Sequence, residues 1–173
     1  TYQVRGTFAE IPRLAAENDL NVALGIWVDR DAERTEEEVR IGLQLANRHR
    51  NVVRVIAGNE AVLRGDVTVD EIIAILDHVR ANTRKPVSTA EPAAVRQPVS
   101  TAEPWHVWLR YPELAEHVDY IAVHLLPFWE EVPVEAAVDY VVDKIKRLEQ
   151  AFPNKKIVIG EVGWPSQGRT RGQ

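Results

Sequence analysis

Three polar side chains stand where apolar, strand-like runs give way to turns: Glu60 in VVRVIAGNE, His124 in YIAVHLLP and Glu161 in KKIVIGEVGWPSQG. Continuous β-branched runs bounded by turn residues read as strands buried on both faces. In parallel sheets the ligand lies at the carboxyl ends of such strands, so parallel strands would aim all three residues at one face. Two carboxylates across a cleft can serve as acid and nucleophile on a glycosidic bond, about 5 to 5.5 Å apart for retention and about 6.5 to 9.5 Å for inversion. Their environments must then differ, one Glu staying protonated and the other ionised. Glu161 taken alone would serve equally in an ion pair with a neighbouring Arg; it is the second strand-end Glu that points to catalysis.

All five tryptophans, Trp27, Trp105, Trp108, Trp129 and Trp164, lie at or just after strand ends. Aromatic faces there can stack on the apolar faces of pyranose rings, and core packing is the competing use for some of them. His124 can hydrogen-bond the nucleophile or a sugar hydroxyl, or can be a buried structural residue. A metal site built from His124, Glu60 and Glu161 lacks H-x-H or H-E-x-x-H spacing. Ser166, in GWPSQG, lacks the G-x-S-x-G elbow of a serine nucleophile. No G-x-G-x-x-G or P-loop follows any strand, so neither a nucleotide nor any other cofactor is expected.

The elements that must position these residues alternate strand and helix along the whole chain, the pattern of parallel β/α folds. Residues 1–4 read as the tail of a strand, residues 21–28 (NVALGIWV) as the next, and residues 52–60 and 120–127 as two more. Three T-x-x-E boxes, Thr7 with Glu10, Thr35 with Glu38 and Thr68 with Glu71, each read as a capped helix start. Pro133 suits the first turn of a helix striped by Val134, Ala137, Val138, Val141, Val142, Ile145 and Leu148.

The heptapeptide PVSTAEP occurs twice, at 86–92 and 98–104. The strand-end residues Trp27, Glu60, Glu91, His124 and Glu161 are 33, 31, 33 and 37 residues apart, so one copy suffices for a single βα unit per interval. Both copies cannot be neighbouring parallel strands, because five residues separate them and a parallel crossover requires about a dozen. The second copy is the expected strand, since WHVW follows it and would bring Trp105 and Trp108 to a cleft. Six strands result, in one domain spanning 1–173, against about 250 residues for a closed eight-stranded barrel. The expected fold is therefore α/β, a TIM-type (β/α)8 barrel short of about two units.

Composition agrees with an ordinary globular chain: 173 residues, 45% hydrophobic and 27% charged. The net charge of -5 with interleaved signs argues against nucleic acid and suits a neutral partner. No apolar run approaches the roughly 20 residues of a membrane span. Without cysteine, disulfides, thiolate metal sites and a Cys nucleophile are excluded, while the compartment stays open.

RVIAGNEAVLR (54–64), STAEPWHVW (100–108), DYIAVHLLPFWE (119–130) and VIGEVGWPSQGR (158–169) together resemble glycoside hydrolase family 17, the β-1,3-glucanase family, and particularly its bacterial branch related to β-glucan transglycosylases. The pairing of GNE with GEVGWPS is the specific part. The resemblance implies a β/α barrel in which Glu60 is the acid/base at the end of the fourth strand and Glu161 the nucleophile at the end of the seventh. It implies that Asn59 holds the sugar 2-hydroxyl and that His124, Glu103, Trp27, Trp105, Trp129 and Trp164 lie on the substrate side. It also implies a β-glucan partner, a parent protein that is periplasmic, secreted or membrane-attached, and a chain running from the second to the seventh strand. Such a barrel has open edges, a liability that pairing with a second copy would relieve. The alternative is a catalytically silent fragment that at most binds β-glucan.

Overall fold

The computed structural model describes residues 1–83 and 96–166. Among them five parallel strands, β1 (Val22–Ile26), β2 (Val52–Asn59), β3 (Val99–Pro104), β4 (Tyr120–Leu125) and β5 (Lys156–Val162), form one sheet in sequential order. The helices are α1 (Ile11–Ala16), α2 (Ala32–Arg48), α3 (Val69–Asn82), α4 (Trp105–Arg110) and α5 (Ala137–Ala151). Strands in chain order, with helices in the crossovers, form an arc of a β/α barrel.

The sheet has two cores. On the helix side Val55, Val99, Ile121, Val123 and Leu125 pack with Ile72, Leu76 and Val79 of α3, with Trp108 of α4 and with Leu148 of α5. On the concave side a smaller group, Ala102, Tyr120 and Ala122 with Ile56 and Val158, fills the barrel interior. This division follows from the pleat, which sends alternate residues to opposite faces.

Several expectations are corrected. Residues 1–4 are not a strand. They run beside β1 without a full backbone ladder, tied by one main-chain bond from the Thr1 nitrogen to the Ala23 carbonyl at 2.9 Å and by Glu38, whose Oε2 accepts from the Val4 N–H at 3.0 Å and the Trp27 N–H at 3.2 Å. That buried carboxylate spans the gap that strand pairing would otherwise close. Of the three capping boxes only Thr68 with Glu71 forms, with both reciprocal bonds present. Helix α2 starts a turn early because Asp31 is extended and accepts from the Arg34 N–H; Thr35 is thereby inside the helix, donating to the Asp29 carbonyl. Gly6–Glu10 is a 3-10 turn preceded by Arg5, with no side-chain cap from Thr7.

The second PVSTAEP copy forms β3, as expected, and the first lies outside the described residues. After Pro133 comes a 3-10 turn, Val134–Ala136, before α5 begins. The apolar stripe of α5 is only partly used: Leu148 is buried, whereas Val138 is 73% exposed and Val134 and Val142 also face solvent. The cause is at the sheet edge. β5 pairs with β4 alone among the described residues, so Ile159 and Val162 are exposed beside that helix.

Candidate active site

Strict alternation would turn Glu161, and Asn59 beside Glu60, the wrong way. On β4, Tyr120 and Ala122 face the barrel interior, and His124 follows in phase. On β5, Val158 faces inward opposite Ala122, which would send Glu161, three residues on, to the helix side. The register prevents this: Ile159 pairs with Val123 but Glu161 with His124, so Gly160 is one extra residue and the phase flips. On β2 the same device operates. Ile56 pairs with Ser100 and Asn59 with Ala102, three steps against two, with Gly58 at φ +87° in between. Each motif, GNE and GEV, thus opens on the glycine that swings its polar residue to the inner face. At Gly160 the reason for glycine is also contact, since a Cβ there would lie 3.1 Å from Cδ2 and 3.2 Å from Nε2 of the His124 ring.

Glu60 leaves β2 in a left-handed conformation, φ +54°, unusual for a residue with a side chain. Its N–H donates to the Ala102 carbonyl at 2.8 Å and its carbonyl accepts from the Arg64 N–H at 2.9 Å. The Arg64 guanidinium braces the turn further, donating to the Asn59 and Val28 carbonyls and pairing with Asp66.

The buried imidazole of His124 lies between the carboxylates. Nδ1 is 2.8 Å from Glu60 Oε1 and Nε2 is 3.8 Å from Glu161 Oε1. Glu161 Oε1 also accepts from the Tyr2 hydroxyl at 2.9 Å, a bond that pushes the Tyr2 hydroxyl above its ordinary value. Glu60 is held below the usual carboxylate range, chiefly by the His124 hydrogen bond, while partial burial pushes the other way. The free site therefore holds Glu60 as a carboxylate, the form of a base; donating a proton requires that its affinity rise when a ligand displaces water, the direction burial already favours.

Two cavities meet at His124. One, about 230 Å³, lies on the inner face and is lined by Tyr2, Asn59, Ala102, Gly160 and Glu161. The other, about 340 Å³, lies outside it and is lined by Glu60, Leu63, His106, Trp129 and Glu130. A third and larger space, about 510 Å³ between α2 and α3, touches none of the strand-end trio and is remote from this chemistry.

The tryptophans divide. Trp129, 61% exposed, lines the outer cavity, whereas Trp164 contacts Phe128, which meets both rings edge-on at 5.5 and 5.6 Å. Trp108 is fully buried, its N–H donating to the Ala122 carbonyl, and so belongs to the core. Trp27, Trp105 and Trp164, expected at the substrate, line neither cavity. Trp27 stacks under Arg64 at 4.6 Å and donates to Asp29; Trp105 donates to Glu130 and Tyr140 under Lys144 and Arg147. Glu103 is likewise not at the surface: it is fully buried, accepts from the Val62 and Leu63 N–H groups, and burial pushes its carboxyl up to about 7. Tyr2, His106 and Glu130 are additional site residues. Tyr2 could not be found from spacing, because only the approach of residues 1–4 to β1 brings it across the arc to β5.

Two glutamates at the ends of parallel strands in a β/α-barrel arc, with an aromatic wall beside them, are the arrangement of a glycoside hydrolase. The chain belongs to the BtgE/BtgC glycoside hydrolase domain family, whose model matches residues 1–173. Among similar proteins are a probable family 17 glucosidase of Saccharomyces cerevisiae, 26% identical over 152 residues, covering 87% of this chain and 37% of the relative. A probable beta-glucosidase of Aspergillus terreus is 24% identical over 164 residues, covering 91% and 27%. Among solved structures, an active-site mutant of a Rhizomucor miehei beta-1,3-glucanosyltransferase in complex with laminaritriose matches with TM-score 0.78 at 21% identity, over 96% of this chain and 59% of that one. An endo-laminarinase from Formosa matches with TM-score 0.73 at 19% identity, over 95% and 56%. The structural matches carry the fold, an incomplete TIM-type barrel, and the chain spans less than two thirds of each of these proteins.

Two outcomes follow from the geometry. Gly160→Ala pushes a methyl against the buried His124 ring and costs about 1 to 3 kcal/mol of stability, readable by denaturant unfolding. His124→Leu removes the bond that holds the Glu60 carboxyl down, so this carboxyl rises, burial no longer being opposed by the imidazole; carboxyl-detected NMR titration reads the shift, and an unmoved Glu60 would contradict the assignment of its cause.

Proposed function

We propose that this chain carries the catalytic pair of a retaining enzyme acting on β-1,3-glucan, as a hydrolase or a glucanosyltransferase. One observation carries the reading: the two strand-end carboxylates address the two nitrogens of a single imidazole, at 2.8 and 3.8 Å, from opposite sides of one cleft. Retention, with Glu161 as the nucleophile, is what the resemblance to family 17 implies. The family and the glucan-directed names of its relatives support the substrate class.

In this reading Glu161, oriented by the Tyr2 hydroxyl, attacks the anomeric carbon as Glu60 gives its proton to the departing glycosidic oxygen. Glu60, now a carboxylate, then takes a proton from water or from an acceptor hydroxyl, which displaces Glu161 from the sugar. Asn59, brought inward by the extra residue on β2, reaches the 2-hydroxyl. Trp129 is the aromatic wall of the outer cavity, linked through Phe128 to Trp164. Hydrolysis and transfer differ in whether a sugar or water occupies that cavity in the second step. Trp27 and Trp105 serve by holding Arg64 and Glu130.

Glu161→Ala is expected to abolish turnover of a laminari-oligosaccharide, and Glu60→Gln to slow it by about 10² to 10⁴-fold. A product time course by chromatography checks both, and activity retained without Glu161 would sink the reading. The exposed α5 and β5 surface favours the second reading, an arc too open to hold the pair in register and able only to bind glucan; calorimetric binding with no product would select it. We further propose that the 173-residue chain alone covers that surface with a second copy. Sedimentation is expected to show self-association, and a monodisperse monomer would count against it.

A further inference from the structure

Glu103 takes no part in the chemistry above, yet it is among the most completely buried side chains of the molecule. It lies on β3 opposite Val123, one pleat from the inward-facing Ala102, and so points to the helix side, beneath the turn that follows Glu60. Its oxygens divide between two successive amides. Oε1 accepts from the Val62 N–H at 2.9 Å and Oε2 from the Leu63 N–H at 3.3 Å. The same strand holds the other end of the turn, since the Ala102 carbonyl accepts from the Glu60 N–H at 2.8 Å.

Adjacent β3 residues therefore grip the chain before and after Glu60, one by its carbonyl and one by its carboxylate. The gripped residue is the one with left-handed backbone, φ +54°, a conformation that persists only where its surroundings over-determine it. A strained residue whose side chain must deliver a proton along one direction needs such a clamp, and ordinary turn bonds leave the Val62 and Leu63 amides without another acceptor on β3.

We propose that Glu103 is a positioning residue whose carboxylate clamps the Val62–Leu63 turn and thereby fixes the direction in which Glu60 gives and takes its proton. The inference rests on the reading of Glu60 as acid/base, and it has a consequence that loss of general stability would not produce. Glu103→Gln keeps the volume but replaces one acceptor oxygen with an amide that points N–H at N–H, so one of the two grips is lost.

The test compares two substrates on the full chain. Laminari-oligosaccharides have a poor leaving group and need the proton. A dinitrophenyl β-laminaribioside releases a stable phenolate and does not. Glu103→Gln is expected to slow the first step on the oligosaccharide by about 10 to 10²-fold, the scale of a misplaced catalytic group, while the burst of phenolate stays within about threefold of the unaltered protein. Glu103→Asp, with its charge kept on a shorter arm, should fall between the two. Glu60→Gln is the control. If it fails to distinguish the two substrates, or if the unaltered chain turns over neither, the reading of Glu60 falls and the inference with it. If Glu60→Gln distinguishes them and Glu103→Gln slows both equally, the inference alone is overturned. Should Glu103→Gln not fold, amide exchange on the unaltered protein decides: protected Val62 and Leu63 amides are expected, and exchange at free-amide rates would overturn the clamp.

Discussion

The pleat of a parallel strand is a binary constraint: a residue faces the barrel interior or the helices, and nothing lies between. Everything at this site depends on breaking that rule twice. β2 and β5 each hold one more residue than the strand they pair with, just before the carboxylate motif, and each break is made at a glycine. Without them Asn59 and Glu161 would be directed into the helix-side core, where a carboxylate is costly and useless. β4 keeps its regular phase, so His124 arrives by simple alternation and becomes the fixed point to which the other two are brought.

That fixed point also makes the two glutamates unequal. Glu60 accepts a close hydrogen bond from the imidazole, whereas Glu161 lies beyond bonding distance of the ring and is satisfied by Tyr2. Chemically equivalent side chains thereby acquire different partners, and the imidazole holds the Glu60 carboxyl below its usual range in the free site. The aromatic loops after β4 and β5 add a second layer: Phe128 couples Trp129 to Trp164, so the two loops are packed against each other.

Much of this was legible from residue order. Apolar runs ending in Glu60, His124 and Glu161 located the strands and the face, because buried parallel strands have a composition of their own. For the duplicated heptapeptide, five residues cannot cross a sheet, so only one copy could be a strand, and the WHVW that follows the second pointed to that one. Capping was less legible: Thr35 with Glu38 has the spacing of a box, but Asp31 captured the helix start and freed Glu38 for burial. The tryptophans were over-assigned, because a strand-end Trp can brace an Arg, as Trp27 does, or enter the core, as Trp108 does, without any change in spacing. The resemblance placed Glu103 on the substrate side, whereas the structure buries it on the helix side, because strand position reveals the end of the sheet but not which side of the pleat is dry. The bulges could be seen only in register, as an inequality between two strands.

Glu38 has a larger effect than its place in the middle of a helix suggests. Residues 1–4 are attached through that carboxylate, through the Thr1 hydroxyl on the Gly25 N–H and through one main-chain bond, from the Thr1 nitrogen to the Ala23 carbonyl, rather than through a full ladder. The hydroxyl that orients Glu161 is carried on this segment, so the contacts at Ala23, Gly25 and Glu38 are what hold Tyr2 against the carboxylate of β5.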